Sequence, residues 1–536
     1  MKIIIFLWLT ASVCARVAVV EEKLLDISDN LIIDDKAELK NITNNAKVLT
    51  KEEKIDVCLN VNSLNSTISE TTADQLACLL KLLNSTVIKP DNGVALILTP
   101  LIEDGRIDEA RNASKVDSEQ FLGLESYSGF LTVNETYNSN LFFWYFPVEN
   151  KTVSETPWII WLQGGPGASS LTGLFDEIGP LKLENGHLIR SPHSWLQNHS
   201  LLFIDNPVGT GFSFTNHPDG FTQDSTTYGI HLYSALRQFL QMFPELRSAP
   251  LFVAGESYGG KFVPALGAEI HKHMDEPDGK IKMGGLMIGN AYVEPSMIAQ
   301  IAMSFIHFGL LVKEQMDIVR PLVDSFHGDI AANRSIEAKE KFTNLITILL
   351  FLSHQKQAYN FLKDDILAGH YSSYLEQSAI RKALHVGDIR FHFVNMTVNS
   401  KLAPDFLSDA RPKFEMLLDH YRVLTYCGQL DQMLPCGYTS EAYRRWRWGH
   451  SQEFLEATRY PYIYNRKVAG YHKTGGGLTE VLIRGAGHMV PMDQPGPVQE
   501  LVARWTQQKP LSSGFGMLEG SFVQQFIRNH TTAIYL

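Results

Sequence analysis

The chain has 536 residues, 44% of them hydrophobic and 20% charged, with 39 Gly and 23 Pro. This is a globular composition, and it excludes a disordered chain, a collagen and a multi-span membrane protein. The formal charge is −11 and there is no long basic run, which argues against nucleic acid as a partner, because phosphate recognition needs clustered Lys and Arg. Five Cys are too sparse for a disulfide scaffold. The length allows either several ordinary domains or one large α/β domain with insertions.

Residues 1–15 read as a secretory signal: Lys2, then the apolar run Ile3 to Val13, then the small-residue site Val13-Cys14-Ala15. The run is shorter than the ~20 residues of a membrane span. Ten Asn-x-Ser/Thr sequons agree with a lumenal, glycosylated protein: Asn41, Asn65, Asn84, Asn112, Asn134, Asn150, Asn198, Asn333, Asn395 and Asn529. The sequence has neither a lipid-anchor tail nor an endoplasmic-reticulum retention signal, so the expected address is secreted or lysosomal, without a membrane anchor. Without Cys14, four cysteines remain: Cys58, Cys78, Cys427 and Cys436. They allow three pairings, of which closeness in sequence favours Cys58–Cys78 and Cys427–Cys436.

Residues 16–115 are polar and carry four of the sequons, with short amphipathic stretches such as Ala73 to Leu83. They read as an N-terminal extension, either a propeptide, an accessory segment or a linker. From Phe121 the pattern becomes strand-like: Tyr127 to Leu131, then Leu141 to Phe146. The apolar strands Trp158 to Leu162, Leu201 to Ile204, Leu251 to Ala254 and Gly285 to Ile288 follow, each ending in a short turn, with helical stretches such as Thr227 to Phe243 between them. This alternation predicts a mainly parallel sheet covered on both faces. A helical excursion at about 296–375 contains Leu345 to Leu352, too short to span a membrane. Two more strands come late, Arg422 to Tyr426 and Glu480 to Ile483. The main domain is expected over 116–510, with a C-terminal tail at 511–536.

The chemical signal is Gly255-Glu256-Ser257-Tyr258-Gly259, directly after a strand and before the helix-like stretch Lys261 to His273. In that context Gly-x-Ser-x-Gly is a nucleophile elbow, a turn too tight for side chains at the flanking positions. Ser257 is the candidate nucleophile, and the Tyr258 N–H can face a developing oxyanion. A serine nucleophile needs a base and an orienting acid. Asp431 and His488 each follow a later strand in the order this architecture requires. The run Gln163-Gly164-Gly165-Pro166-Gly167 also follows a strand, and Gly165 N–H is the expected second oxyanion donor. No His-Glu-x-x-His and no His/Cys cluster at zinc spacing is present, so no metal and no cofactor are expected. His271 and His273 do not share a helix face and read as surface residues.

Gln163 to Ser170, Asp205 to Ser213, Gly255 to Gly260 and His488 to Pro495, taken together, resemble the serine carboxypeptidases over roughly residues 120 to 510. The closest motif match is to the vitellogenic-like branch. The resemblance implies an α/β-hydrolase fold with a mainly parallel central sheet, flanking helices and a helical insertion. It implies release of C-terminal amino acids from peptides through an acyl-enzyme, with Ser257 as nucleophile, His488 as base then acid, and Asp431 as orienter. It also implies that the substrate's free terminal carboxylate is held by Gln163, the Gly164 N–H and Glu256, with Trp161 fixing the pair. Two departures stand out: Gln163 replaces the common Asn, and Ala168 stands where many members have Cys. A carboxylate beside Glu256 requires one of the two to carry a proton, so activity should favour acid pH. Two rivals remain open: an acyltransferase on the same scaffold, and a non-catalytic secreted binding protein. A homodimer is also left open.

Overall fold

The computed structural model describes residues 91–276, 279–365 and 368–511. The signal segment, Cys58, Cys78, Asn41, Asn65, Asn84, Asn529 and nearly all of the tail at 511–536 lie outside the described residues. Twelve strands form in chain order: β1 (Tyr127–Asn134), β2 (Ser139–Phe146), β3 (Trp158–Leu162), β4 (Leu181–Glu184), β5 (His187–Arg190), β6 (Ser200–Ile204), β7 (Leu251–Glu256), β8 (Met283–Gly289), β9 (Arg422–Gly428), β10 (Arg459–Tyr464), β11 (Lys467–Gly475) and β12 (Leu478–Ile483). Ten of them make one sheet in the order β1-β2-β6-β3-β7-β8-β9-β12-β11-β10, and β4-β5 is a separate hairpin. The six strands from β6 to β12 are mutually parallel. Antiparallel pairs close both ends.

The central strands are apolar throughout because both of their faces are covered. On β3, Trp158, Ile160 and Leu162 enter one core cluster, while Ile159 and Trp161 enter the other. β6 and β7 divide in the same way, with Leu202 and Val253 on one face and Phe203 and Phe252 on the other. This is the period-two alternation of a strand. The helix Ser225–Met242 covers the first face. Its N-cap, Asp224, accepts hydrogen bonds from the Thr226 and Thr227 N–H groups at 2.9 Å each, a cap worth about 1 kcal/mol. The helix Pro495–Thr506 supplies Val498, Leu501 and Val502 to the second face.

Three sequence expectations change. The main domain was expected to start at 116, but the compact unit starts at Asp91. Leu98, Ile102 and Ala110 are buried in the first core, and the Leu98 N–H donates to the Phe130 carbonyl at 2.9 Å. The polar composition of 16–115 hid these few anchors. Second, the helical excursion does not end at 375, since further short helices continue to Leu418, immediately before β9. Third, His271 and His273 are half-buried rather than on the surface. His271 stacks on His420 and His273 on Tyr233, with ring centroids 4.3 and 4.7 Å apart. The strands β4, β5, β10 and β11, which carry mixed polar residues, were not anticipated.

Candidate active site

The chemistry-bearing loops all leave the carboxyl ends of the parallel strands, where open α/β sheets bind ligands. Gln163 follows β3, Asp205 follows β6, Ser257 follows β7, Asn290 follows β8, Asp431 follows β9 and His488 follows β12. Ser257 has φ +59°, a strained conformation for a residue with a side chain. Its backbone is locked: Ser257 N–H donates to Gly289 O at 3.0 Å, and Ser257 O accepts from Tyr292 N–H at 2.8 Å and Gly260 N–H at 2.9 Å. A Cβ on Gly255 would sit 2.6 Å from Leu162 O, and one on Gly164 would sit 2.5 Å from Tyr258 N. Only glycines allow the β3 loop and the elbow to approach this closely.

Ser257, His488, Gly165 and Tyr258 line one cavity. His488 Nδ1 lies 2.7 Å from Asp431 Oδ2. Asp431 is fully buried, and its other oxygen accepts from Met433 N–H at 2.7 Å and Leu434 N–H at 3.2 Å. Asn290 also donates to Asp431 Oδ2, and its own side-chain oxygen accepts from Gly428 N–H at 2.9 Å. Cys427 and Cys436 form a disulfide, with Cα atoms 5.7 Å apart, that brackets the Asp431 turn. The His488 backbone N–H donates to Tyr359 O at 2.6 Å, and the His488 ring meets the Tyr359 ring edge-on at 4.9 Å. Asp493, five residues on, accepts from Gly487 N–H and from the Asn360 amide at 2.7 and 2.8 Å, which fixes the turn that carries His488.

The Asp205-to-Ser213 motif acquires a physical role. Buried Asp205 accepts from Ser169 Oγ at 2.6 Å, Ser170 N–H at 2.9 Å and Phe212 N–H at 2.9 Å, so it ties the glycine-rich loop down. Burial raises its carboxyl to about 6, against those hydrogen bonds. Ala168 forms an antiparallel bridge with Val394, so backbone pairing holds the position where Cys is common.

Next to the elbow lies a buried polar cluster. Trp161 Nε1 donates to Gln163 Oε1 at 2.8 Å. The Gln163 amide nitrogen faces Glu177 Oε1 at 3.2 Å and Glu256 Oε1 at 3.3 Å. All three side chains are buried. Burial pushes both carboxyl groups up, and the nearby Glu177 charge drives Glu256 further, well above the ordinary range. Two ionised carboxylates cannot share this site, so the cluster holds a proton.

The elbow is braced from the insertion side. Tyr258 Oη donates to Asp405 Oδ2 at 2.7 Å. Buried Lys261 donates to the carbonyls of Asp405, Phe406 and Ser408 at 2.6, 3.0 and 2.7 Å. Lys261→Met would leave three carbonyls without their shared donor. We expect a loss of about 3 kcal/mol or more in urea-unfolding stability, and a loss below 0.5 kcal/mol would contradict this brace.

Residues 117–508 match the family model for peptidase S10, serine carboxypeptidase. The chain belongs to the serine carboxypeptidase family. It is 38% identical to the vitellogenic carboxypeptidase of Aedes aegypti over 440 residues, covering 78% of this chain and 92% of the relative. It is 36% identical to the probable serine carboxypeptidase CPVL of Homo sapiens over 438 residues, with 78% and 91% covered. Among solved structures, the prohormone-processing carboxypeptidase Kex1Δp of Saccharomyces cerevisiae aligns with TM-score 0.67 at 22% identity, covering 76% of this chain and 98% of that one. That likeness supports the α/β-hydrolase fold. The chain is thus a serine-type carboxypeptidase, a hydrolase whose substrates are peptides.

Within this family frame, the residues singled out from sequence come together: Ser257, His488, Gly165 and Tyr258 at one cavity, and Gln163 with Glu256 at the buried cluster. Glu177, Asn290 and Tyr359 were missed. Asn290 had a legible signal, a polar residue directly after a parallel strand. Glu177 and Tyr359 had none, because their placement depends on packing far from the motifs. Of the described sequons, Asn112, Asn150 and Asn333 are exposed. Half-buried Asn395 uses its oxygen to cap a helix and its amide to reach Gly209 O at 2.7 Å. No described helix is long and apolar enough to cross a membrane.

Proposed function

We propose that the enzyme removes the C-terminal residue of a peptide through an acyl-enzyme, with Ser257, His488 and Asp431 in the roles of nucleophile, base and orienter. Ser257 Oγ attacks the last peptide carbonyl as His488 Nε2 takes its proton. Asp431 keeps the other imidazole proton on Nδ1 and stabilises the imidazolium. The oxyanion is held by the N–H groups of Gly165 and Tyr258. His488 then protonates the leaving amine, and water attacks the acyl-serine by the same route.

The observation that carries this reading is the buried Gln163–Glu177–Glu256 cluster next to the elbow. A neutral or basic substrate end would find no reason there for two carboxyls with raised proton affinity. The substrate's terminal carboxylate, held by the Gln163 amide and Gly164 N–H, accepts a hydrogen bond from protonated Glu256. The sign follows directly. Both carboxyls sit above the ordinary range, so binding is intact at acid pH and is lost as pH rises through their titration.

Glu256→Gln keeps a neutral donor at every pH. The wild-type kcat/KM for a blocked dipeptide should fall steeply on the alkaline side, and the variant should fall far less. Superimposable profiles would remove Glu256 from this role. A second readout is stability. The folded pair retains protons that the unfolded chain has released, so wild-type stability declines as pH rises from the ordinary Glu range. The variant's melting temperature should decline less.

The enzyme is assigned here to the secretory pathway, with glycans at exposed Asn112, Asn150 and Asn333. The support is the signal-like start and the exposure of those three positions.

A further inference from the structure

The cavity that opens on Ser257 has a volume of about 200 Å³. Its walls are largely aromatic and aliphatic, with Tyr292, Phe342 and Phe406 among them. One wall residue breaks that character: Lys339, on the helix Ser335–Leu352. It is the only Lys or Arg among the described lining residues, and no Asp or Glu lines the cavity. Lys339 donates one hydrogen bond to Asn399 O, and the Asn399 amide in turn donates to Pro166 O at 3.2 Å, beside the glycine-rich loop. Among the described residues Lys339 has no carboxylate partner. Burial alone lowers its amine, to about 8, so at pH 6 it is a half-buried cation without a counter-charge. Such a group pays a desolvation cost that an incoming carboxylate would offset.

The position of the cavity identifies the part of the substrate that enters it. Gln163 and Glu256, which face the terminal carboxylate in the proposed function, do not line it, and Glu177 lines a second cavity that shares only His488 with the first. With the scissile carbonyl on Ser257, the leaving residue points to the Glu177 side and the acyl part points into the Lys339 cavity. We propose that Lys339 selects peptides whose penultimate residue is acidic, its ammonium pairing with that side-chain carboxylate. This rests on the placement of nucleophile and terminal carboxylate proposed above. The aromatic walls would hold the methylene stem, so Glu fits better than Asp.

The test uses three N-blocked dipeptides, Glu-Leu, Gln-Leu and Phe-Leu, at pH 6, where the Glu side chain is ionised. The wild-type enzyme should cleave Glu-Leu with kcat/KM on the order of tenfold above its neutral isostere Gln-Leu. Lys339→Met should abolish that ratio and leave Gln-Leu and Phe-Leu little changed, and Lys339→Glu should invert it. A wild-type ratio of one or less, with Phe-Leu cleaved, overturns the proposal and leaves the peptidase reading standing. An equal loss on all three substrates in Lys339→Met also overturns it, because that is the mark of a tether for Asn399. Failure to cleave any of the three overturns the underlying site assignment instead, and this proposal with it.

Discussion

With Ser257 as the proposed nucleophile, Ser257→Ala should lower kcat by about six orders of magnitude, while binding of a product-like blocked dipeptide should stay near the wild-type level. The size of the loss follows from the geometry. The elbow is held by backbone hydrogen bonds to Gly289, Tyr292 and Gly260 rather than by the hydroxyl, so Ala leaves φ +59° and the surrounding donors in place. What disappears is the oxygen proposed to form the acyl bond. The proposed oxyanion donors and the carboxylate cluster remain, so a residual rate ~10³–10⁴ above the uncatalysed one should persist. The check is kcat by single-turnover assay, with labelling by a fluorophosphonate as a second readout. Retained labelling or a loss below a hundredfold would move the nucleophile elsewhere.

Asp431→Asn is expected to cost about 10⁴ in kcat with little change in KM. Every group around this carboxylate is a donor: His488 Nδ1 and Asn290 at Oδ2, the Met433 and Leu434 N–H groups at Oδ1. An amide must place its NH₂ on one side or the other, and either orientation sets donor against donor. With the NH₂ toward His488, the imidazole shifts to the tautomer protonated on Nε2 and can no longer accept the serine proton. With the NH₂ toward the Met433 turn, two buried N–H groups lose their acceptor and the turn loosens. Thermal melts separate the two: an inactive variant with an unchanged melting temperature points to the tautomer, and a lowered one points to the turn. A loss below tenfold would show that Asp431 does not orient the base.

Much of this arrangement was legible in the sequence, because its parts depend on backbone. The elbow needs Gly255 and Gly259 against Leu162, the glycine-rich loop needs Gly164 against Tyr258, and such approaches leave a mark as fixed residue types at fixed spacings. The central strands were legible for a similar reason, since burial on both faces demands unbroken apolar runs. The rest depends on side chains meeting across the fold. Glu177 lies 14 residues from Gln163 and 79 from Glu256, and no spacing rule joins them. Lys339 comes from the helical excursion, a segment whose pattern shows helices but not what they overhang. The strands β10 and β11, at one end of the sheet, are half-exposed and mixed in polarity, which is the pattern that periodicity reads least well. The start of the domain was obscured because the short apolar run Val94 to Ile102, which carries the buried anchors Leu98 and Ile102, reads as part of the polar segment that precedes it.

The Gln163 substitution changes the expected reach rather than the chemistry. Its longer side chain keeps the amide oxygen on Trp161 and the nitrogen between the two carboxyls. The pH dependence therefore belongs to the cluster as a whole, and Glu177→Gln should shift the profile in the same direction as Glu256→Gln.

The most direct measurement compares a blocked dipeptide bearing a free C-terminal carboxylate with its C-terminal amide, from pH 4 to 8, using wild-type enzyme and Ser257→Ala. The expected result is Ser257-dependent cleavage of the acid that is strongest at low pH and fades toward neutrality, with the amide cleaved poorly and with a flatter profile. Equal cleavage of acid and amide, or an acid profile that rises with pH, would contradict terminal-carboxylate recognition by a protonated Glu177–Glu256 pair.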